Sequence, residues 1–141
     1  MYFADEAIIC TNPELSSCRD SDKMIGFIAS KSRRAELNQT PVLQRLIVTR
    51  YDPVRAAKDE MLSLDDIGEL LGLPLIGVIP ESKSVLTSTN IGVPVINAHQ
   101  DDAAEAYKDF VDRFLGQTIP FRFTTVQAEG FFTRVLKAAR G

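Results

Sequence analysis

RLIVTR, residues 45–50, is a short apolar run rich in β-branched residues and bounded at each end by arginine. Two other runs are of the same kind, AIICT at 7–11 and LIGVIP at 75–80. All three are near-continuous rather than alternating, which is how strands buried on both faces of a parallel sheet read. Helical patterns lie between and after them. TNPE (11–14) opens the first, with Asn12 as cap, Pro13 at the first helical position and Glu14 favouring the dipole. That helix is expected to run through KMIGFIASKS with Ile25, Ile28 and Ala29 on one face. Ser63 and Asp66 form a capping box before IGELLG, which stops near Gly72 and Pro74.

A short helix is expected near ESKSVLTS, followed by the loop segment IGVPVIN. DDAAEAYKDFVDRFLG is then amphipathic, with Ala103, Ala106, Tyr107, Phe110, Phe114 and Leu115 recurring at helical spacing. Strands alternating with helices predict an α/β fold with right-handed crossovers. Three strands make a thin sheet with an open edge beside AIICT or RLIVTR, so the chain reads as the second half of a larger domain. NQTP (38–41) and GQTIPFR (116–122) are the most linker-like stretches.

The 141 residues are 45% hydrophobic and 25% charged, enough for one domain with a sizeable core. A net charge of −3 gives little support to a nucleic-acid partner. Two cysteines and the lone His99 make neither a disulfide framework nor a metal site, and Cys10, inside an apolar run, reads as a small core residue. No apolar run approaches the ~18 residues of a membrane span, and a reducing cytoplasm is the default compartment. Neither GxxxxGK[ST] nor GxGxxG occurs, and no Ser-His-Asp or Cys-His set is expected around the single histidine. The pairs Asp20/Asp22, Asp65/Asp66 and Asp101/Asp102 read as solvated helix termini rather than acid/base couples. Ligands in open α/β sheets bind beyond the carboxyl ends of the strands, here TNPE, TRYDP and VIPES.

The stretches ADEAIICTNPELSSCRDSDKMIGFIASKSRRAE (4–36), LIVTRYDPVRA (46–56), DEMLSLDDIGELL (59–71) and GVIPESKSVLTSTNIGVPVI (77–96) fix the chain more closely. Together with the PFRF-then-GFF ending, they resemble in order the MinD family of cell-division proteins, within the MinD/ParA group of deviant Walker A P-loop ATPases. That resemblance implies part of a P-loop NTPase-type, mostly parallel sheet. It further implies an ATP- and Mg2+-bound homodimer on the cytoplasmic face of the inner membrane. Such a dimer recruits MinC to block septum formation at wrong sites and is released when MinE stimulates hydrolysis.

The family's lysine-bearing phosphate loop and switch regions have no counterpart in these residues. The chain is therefore expected to match a C-terminal half, to be inactive alone and to hold no nucleotide tightly. Residues 1–118 are expected to be that half-domain, 119–129 a linker and 130–141 a separate helix. Carried over by position, Arg50, Pro80 and Glu81 match loops on the adenine side of the nucleotide, with ordinary strand-to-helix punctuation as the plainer reading. Glu14, Asp20, Asp22 and Arg55 match the family's partner and dimer surface; a solvated helix face is the plainer reading of the two aspartates. Ser32, Arg33 and Arg34 read as a cationic helix end. No catalytic residue and no metal ligand is assigned. A ParA-type partition ATPase and a non-catalytic membrane-docked interaction module are the alternatives.

The ending GFFTRVLKAARG (130–141) carries three cations and no acid. At about 100° per residue, Phe131, Phe132, Val135, Leu136 and Ala139 span an arc of roughly 140°, and Arg134, Lys137 and Arg140 occupy the opposite side. Such a helix suits the plane of an anionic membrane. The family's membrane-targeting helix gives the same implication, and a terminal helix packed on its own domain is the other reading. One such helix binds weakly, and pairing two in a dimer multiplies the affinity.

Overall fold

The computed structural model describes residues 2–97 and 101–126. His99 and residues 127–141, with the proposed membrane helix, lie outside the described residues. The fold is α/β. Three strands, β1 (Glu6–Thr11), β2 (Leu43–Tyr51) and β3 (Leu75–Pro80), form a parallel sheet in the order β1-β2-β3. RLIVTR is therefore the central strand and not an edge; among the described residues the open edges belong to β1 and β3.

The helices are α1 (Leu15–Lys31), α2 (Arg33–Glu36), α3 (Pro53–Ala56), α4 (Leu64–Leu71), α5 (Lys83–Asn90) and α6 (Asp102–Phe114), with a 3-10 turn at Val95–Asn97. One face of the sheet packs on α1 and α4. There Ile9, Leu46, Val48 and Val78 meet Cys18, Ile28, Ile67 and Leu71. Burying such side chains stabilises the fold by about 1.5–3 kcal/mol each. The other face packs on α6, where Ile47 and Ile79 meet Ala103 and Ala106, with Tyr107 and Phe110 at the margin. Gly77 makes the second layer possible: a Cβ there would sit 2.9 Å from both Ile47 Cγ1 and Phe110 Cδ2.

Burial on both faces holds for β3 and the middle of β2 but fails for β1. Ile9 and Thr11 are buried, whereas Ile8 and Cys10 are exposed because α6 lies over the β3 side of the sheet. Cys10 is thus no core residue. Cys18 takes that role, and burial pushes its thiol pKa up.

Helix ends also depart from expectation. Glu14, not Asn12, is the N-cap of α1, and Pro13 lies before the helix, its carbonyl accepting from the Leu62 amide at 3.1 Å. The Asn12 side chain instead accepts from Thr49 Oγ1 at 2.9 Å, tying the end of β1 to β2. α1 ends at Lys31, and buried Ser32 caps α2 by accepting from the Ala35 amide. Arg34 pairs with Asp5 at 2.7 Å, and Arg33 lies over the Phe3 ring. On α1 the buried positions are Cys18, Ser21 and Ile28, with Ile25 half-buried; Ala29 is exposed. On α6, Phe114 and Leu115 are exposed, while Ala104 and Asp109 are buried.

The α4 capping box is present in both directions between Ser63 and Asp66, and Gly72 closes the helix in the left-handed conformation at φ 60°. Asp101 caps α6, accepting from the amides of Ala103 and Ala104. Asp20 and Asp22 lie beyond the first turn of α1, so only the other two acidic pairs sit at helix starts.

Of the segment expected as a linker, residues 119–126 are described, and they lie back against α6. Arg113 donates to the carbonyls of Ile119 (2.9 Å) and Pro120 (2.8 Å) and lies 4.1 Å from the Phe121 ring centroid. Burial disfavours its charge, and Asp109 opposes that effect. Arg122 grips Asp109 and reaches Glu105, and Phe123 joins the apolar layer under α6.

Candidate functional site

The carboxyl ends of the three strands open on one side of the sheet, and the segments that follow them bring charge there. Arg50, the penultimate residue of β2, is in left-handed backbone, φ 60°, a conformation that disfavours a residue with a Cβ by about 1–2 kcal/mol. In β3, Pro80 stands opposite Tyr51, and the amide of Glu81 donates to the Tyr51 carbonyl at 3.1 Å. That bond fixes the path of the chain as it leaves the sheet. It also sets Glu81 beside Arg50, whose Nη2 lies 3.2 Å from Glu81 Oε1.

Arg55 arrives on α3. The DP pair in TRYDP starts that helix: Asp52 accepts from the amides of Val54 and Arg55, and Pro53 stands in the first turn. Arg55 reaches Glu60 at 3.4 Å and Glu81 at 3.9 Å. Glu14, at the start of α1, completes the ring. Together with Pro13, Arg50, Arg55, Glu60 and Glu81 it lines a small cavity of about 40 Å³. All these ion pairs are largely exposed, so each contributes about 0–1 kcal/mol and holds geometry more than stability.

Arg50, Pro80, Glu81, Arg55 and Glu14 therefore stand together. Asp20 and Asp22 stand apart, exposed on α1, with Asp20 paired to Lys23 at 2.9 Å. Phe131, Phe132, Arg134, Val135, Leu136, Lys137 and Arg140 lie outside the described residues. Glu60 and the Asn12–Thr49 bridge were not foreseen. Glu60 belongs to an irregular loop with no periodicity to flag it, and Asn12 could as well have been a helix cap.

The cluster suits one part of a nucleotide and not another. A guanidinium and a proline ring at the strand ends can flank a planar base. Nothing in the 141 residues supplies the Gly-rich, lysine-bearing loop that a triphosphate with Mg2+ requires, and three carboxylates surround the two arginines. No step of ATP hydrolysis is derived from this chain.

No family model matches the sequence. The septum site-determining protein MinD of Escherichia coli (strain K12) is 52% identical over 135 residues, which is 96% of this chain and 50% of the relative. The MinD cell division protein of Aquifex aeolicus superimposes with a TM-score of 0.74 at 32% identity, covering 86% of this chain and 48% of that one. The MinC:MinD complex from the same organism gives 0.71 at 33% identity over 84% and 46%. MinD of Pyrococcus horikoshii OT3, complexed with Mg-ADP, gives 0.59 at 25% identity over 79% and 43%. The chain spans about half the length of the curated relatives it matches. By sequence along 96% of its residues and by fold, this chain is a homologue of the septum site-determining protein MinD and carries part of the MinD/ParA P-loop ATPase fold.

Proposed function

We propose that this chain supplies the base-side wall of the nucleotide site, a partner-facing surface and the membrane-binding tail of a MinD-type cell-division ATPase. In that reading the complete ATPase, with ATP and Mg2+ bound, forms a homodimer on the cytoplasmic face of the inner membrane. It recruits MinC against septa at wrong sites and leaves the membrane when MinE stimulates hydrolysis. Arg50, Pro80 and Glu81 face the adenine. Glu14, Arg55, Asp20 and Asp22 belong to the dimer and partner surface. Residues 130–141 lie in the membrane plane, Phe131, Phe132, Val135 and Leu136 toward the acyl chains and Arg134, Lys137 and Arg140 toward anionic headgroups. A solved relative with Mg-ADP and another in complex with MinC support the nucleotide and the partner by homology. No described helix is long and apolar enough to cross a membrane.

The observation that carries the reading is Arg50, held in left-handed backbone at a strand end and ion-paired to Glu81 beside Pro80. The test is a chimera in which the half of E. coli MinD that this chain does not match is fused before Met1. Fluorescent ADP binding by the chimera should weaken about tenfold, or ~1.4 kcal/mol, on Arg50→Ala. Equal affinity in both proteins sinks the base-side assignment. The 141-residue chain alone should turn over no ATP above background, and turnover that tracks the purified chain overturns the placement of the chemistry elsewhere.

A further inference from the structure

Beside the edge of β3 that is unpaired among the described residues, α4 and the segment after α6 border a shallow, open groove of about 670 Å³. Leu64, Leu75 and Phe121 give it apolar walls. Gly68 leaves the middle of α4 bare, with no atom within 4 Å of where a Cβ would stand. Asp65 and Glu69 stand on the rim, and α4, LDDIGELL, has three carboxylates and no cation to balance them. An apolar trough edged by carboxylates fits an amphipathic helix whose flanks are cationic.

The chain holds such a segment. At helical spacing the sequence 130–141 sets Phe131, Phe132, Val135 and Leu136 on one side and Arg134, Lys137 and Arg140 on the other, with no acid. The tether is short and begins at the groove: Thr124 lines it, and Val126 is the last residue described. From Val126 to Phe131 an extended chain reaches up to about 17 Å. Arg113, bound to Ile119 and Pro120, and Arg122, bound to Asp109, hold the root of that tether against α6.

We propose that the groove between α4 and Phe121 is the intramolecular docking site of the chain's own C-terminal segment, which lies there when no membrane is present. The apolar face that enters lipid is then the face that fills the groove, and the cations that meet headgroups meet Asp65 and Glu69 instead. Docking and membrane binding exclude each other. The tail is released when anionic lipid outcompetes two carboxylates, or when two tails act together in a dimer. The groove's role as a competitor of lipid rests on the reading of 130–141 as a membrane helix; the docking itself does not.

The sequence contains no tryptophan, so Phe132→Trp gives the full chain a single reporter. In lipid-free buffer its emission should lie to the blue of a synthetic 127–141 peptide carrying the same substitution. Adding D65K and E69K should return the emission to the peptide's value while the circular-dichroism melt stays within a few degrees. In titrations with phosphatidylglycerol vesicles, the charge-reversed chain should reach half-binding at about threefold to tenfold less lipid. Peptide-like emission from the parent chain overturns the proposal. So does a blue shift that survives charge reversal, which puts the tail elsewhere, or one that disappears on dilution, which makes the contact intermolecular. If neither chain responds to vesicles while the charge-dependent blue shift persists, the membrane reading fails and the docking stands.

Discussion

Asp109 and Arg122 meet in a two-point contact, Nε to Oδ2 and Nη2 to Oδ1, each at 2.8 Å. The carboxylate is almost fully buried, and a second arginine, Arg113, lies 4.0 Å from it. With Arg113, which binds Ile119 and Pro120, it fastens the segment after α6 to the helix.

Asp109→Asn keeps the volume and removes the charge that both guanidiniums face. It should destabilise the chain by about 2 kcal/mol, tempered by the partial exposure of Arg122. Urea unfolding is the measurement, and a double cycle with Arg122→Gln should give a coupling above ~0.5 kcal/mol. An unchanged midpoint would falsify the fastening role.

Gly77→Ala places a methyl group 2.9 Å from Ile47 and Phe110. Overpacking of this kind costs about 1–3 kcal/mol and should loosen α6 first. Hydrogen exchange should therefore accelerate in α6 before it does in α1. Shortening the opposing ring with Phe110→Leu should recover part of the loss.

Asp101 predicts an acid-sensitive margin. The Ser84 hydroxyl, then the Ser82 hydroxyl and the amides of Ala104 and Ala103, favour its charged form and lower its pKa against the opposing effect of burial. A lowered folded pKa means stability that is present above the unfolded value near 4 and lost as pH falls through the folded one. Asp101→Asn keeps a good cap but no charge. Its deficit against the parent should be constant at neutral pH and close as the solution is acidified below about pH 4, read from thermal melts. A gap that widens in acid would exclude this account.

The sheet elements were legible because β3 and the middle of β2 are buried on both faces and so carry unbroken apolar runs. β1 has the same composition, yet its pattern could not show that α6 stops short of Ile8 and Cys10. Ser63, Asp66 and Gly72 announced α4 because capping is a local matter of neighbouring groups. Asn12 misled for the same reason: it has the chemistry of a cap, and only a strand 37 residues away decides that it bonds Thr49 instead. Arg50, Pro80 and Glu81 could be placed at strand ends from punctuation, whereas the link through Arg55 to Glu60 depends on a loop with no repeating signal.

Among the described residues no strand lies beside the outer edge of β1, and Ile8 on that strand is 41% exposed. Such an edge is a template for pairing with another chain. Purified at micromolar concentration, the chain should self-associate, and Ile8→Lys should weaken association about tenfold, ~1.4 kcal/mol. Sedimentation velocity that shows only monomer for the parent removes the edge as an adhesive surface.

Strand order has a further consequence, for how the polypeptide acquires its shape during synthesis. Glu6 pairs with Leu43 and Leu46 with Leu75, so each strand joins the outside of the sheet already made and none must be inserted between two others. A growing chain can therefore build these layers vectorially as it leaves the ribosome, closing only moderate loops at each stage. The face that waits longest in water is the one α6 covers, since that helix is translated after all three strands. Ile47 and Ile79 are the side chains a nascent-chain chaperone would meet in that interval.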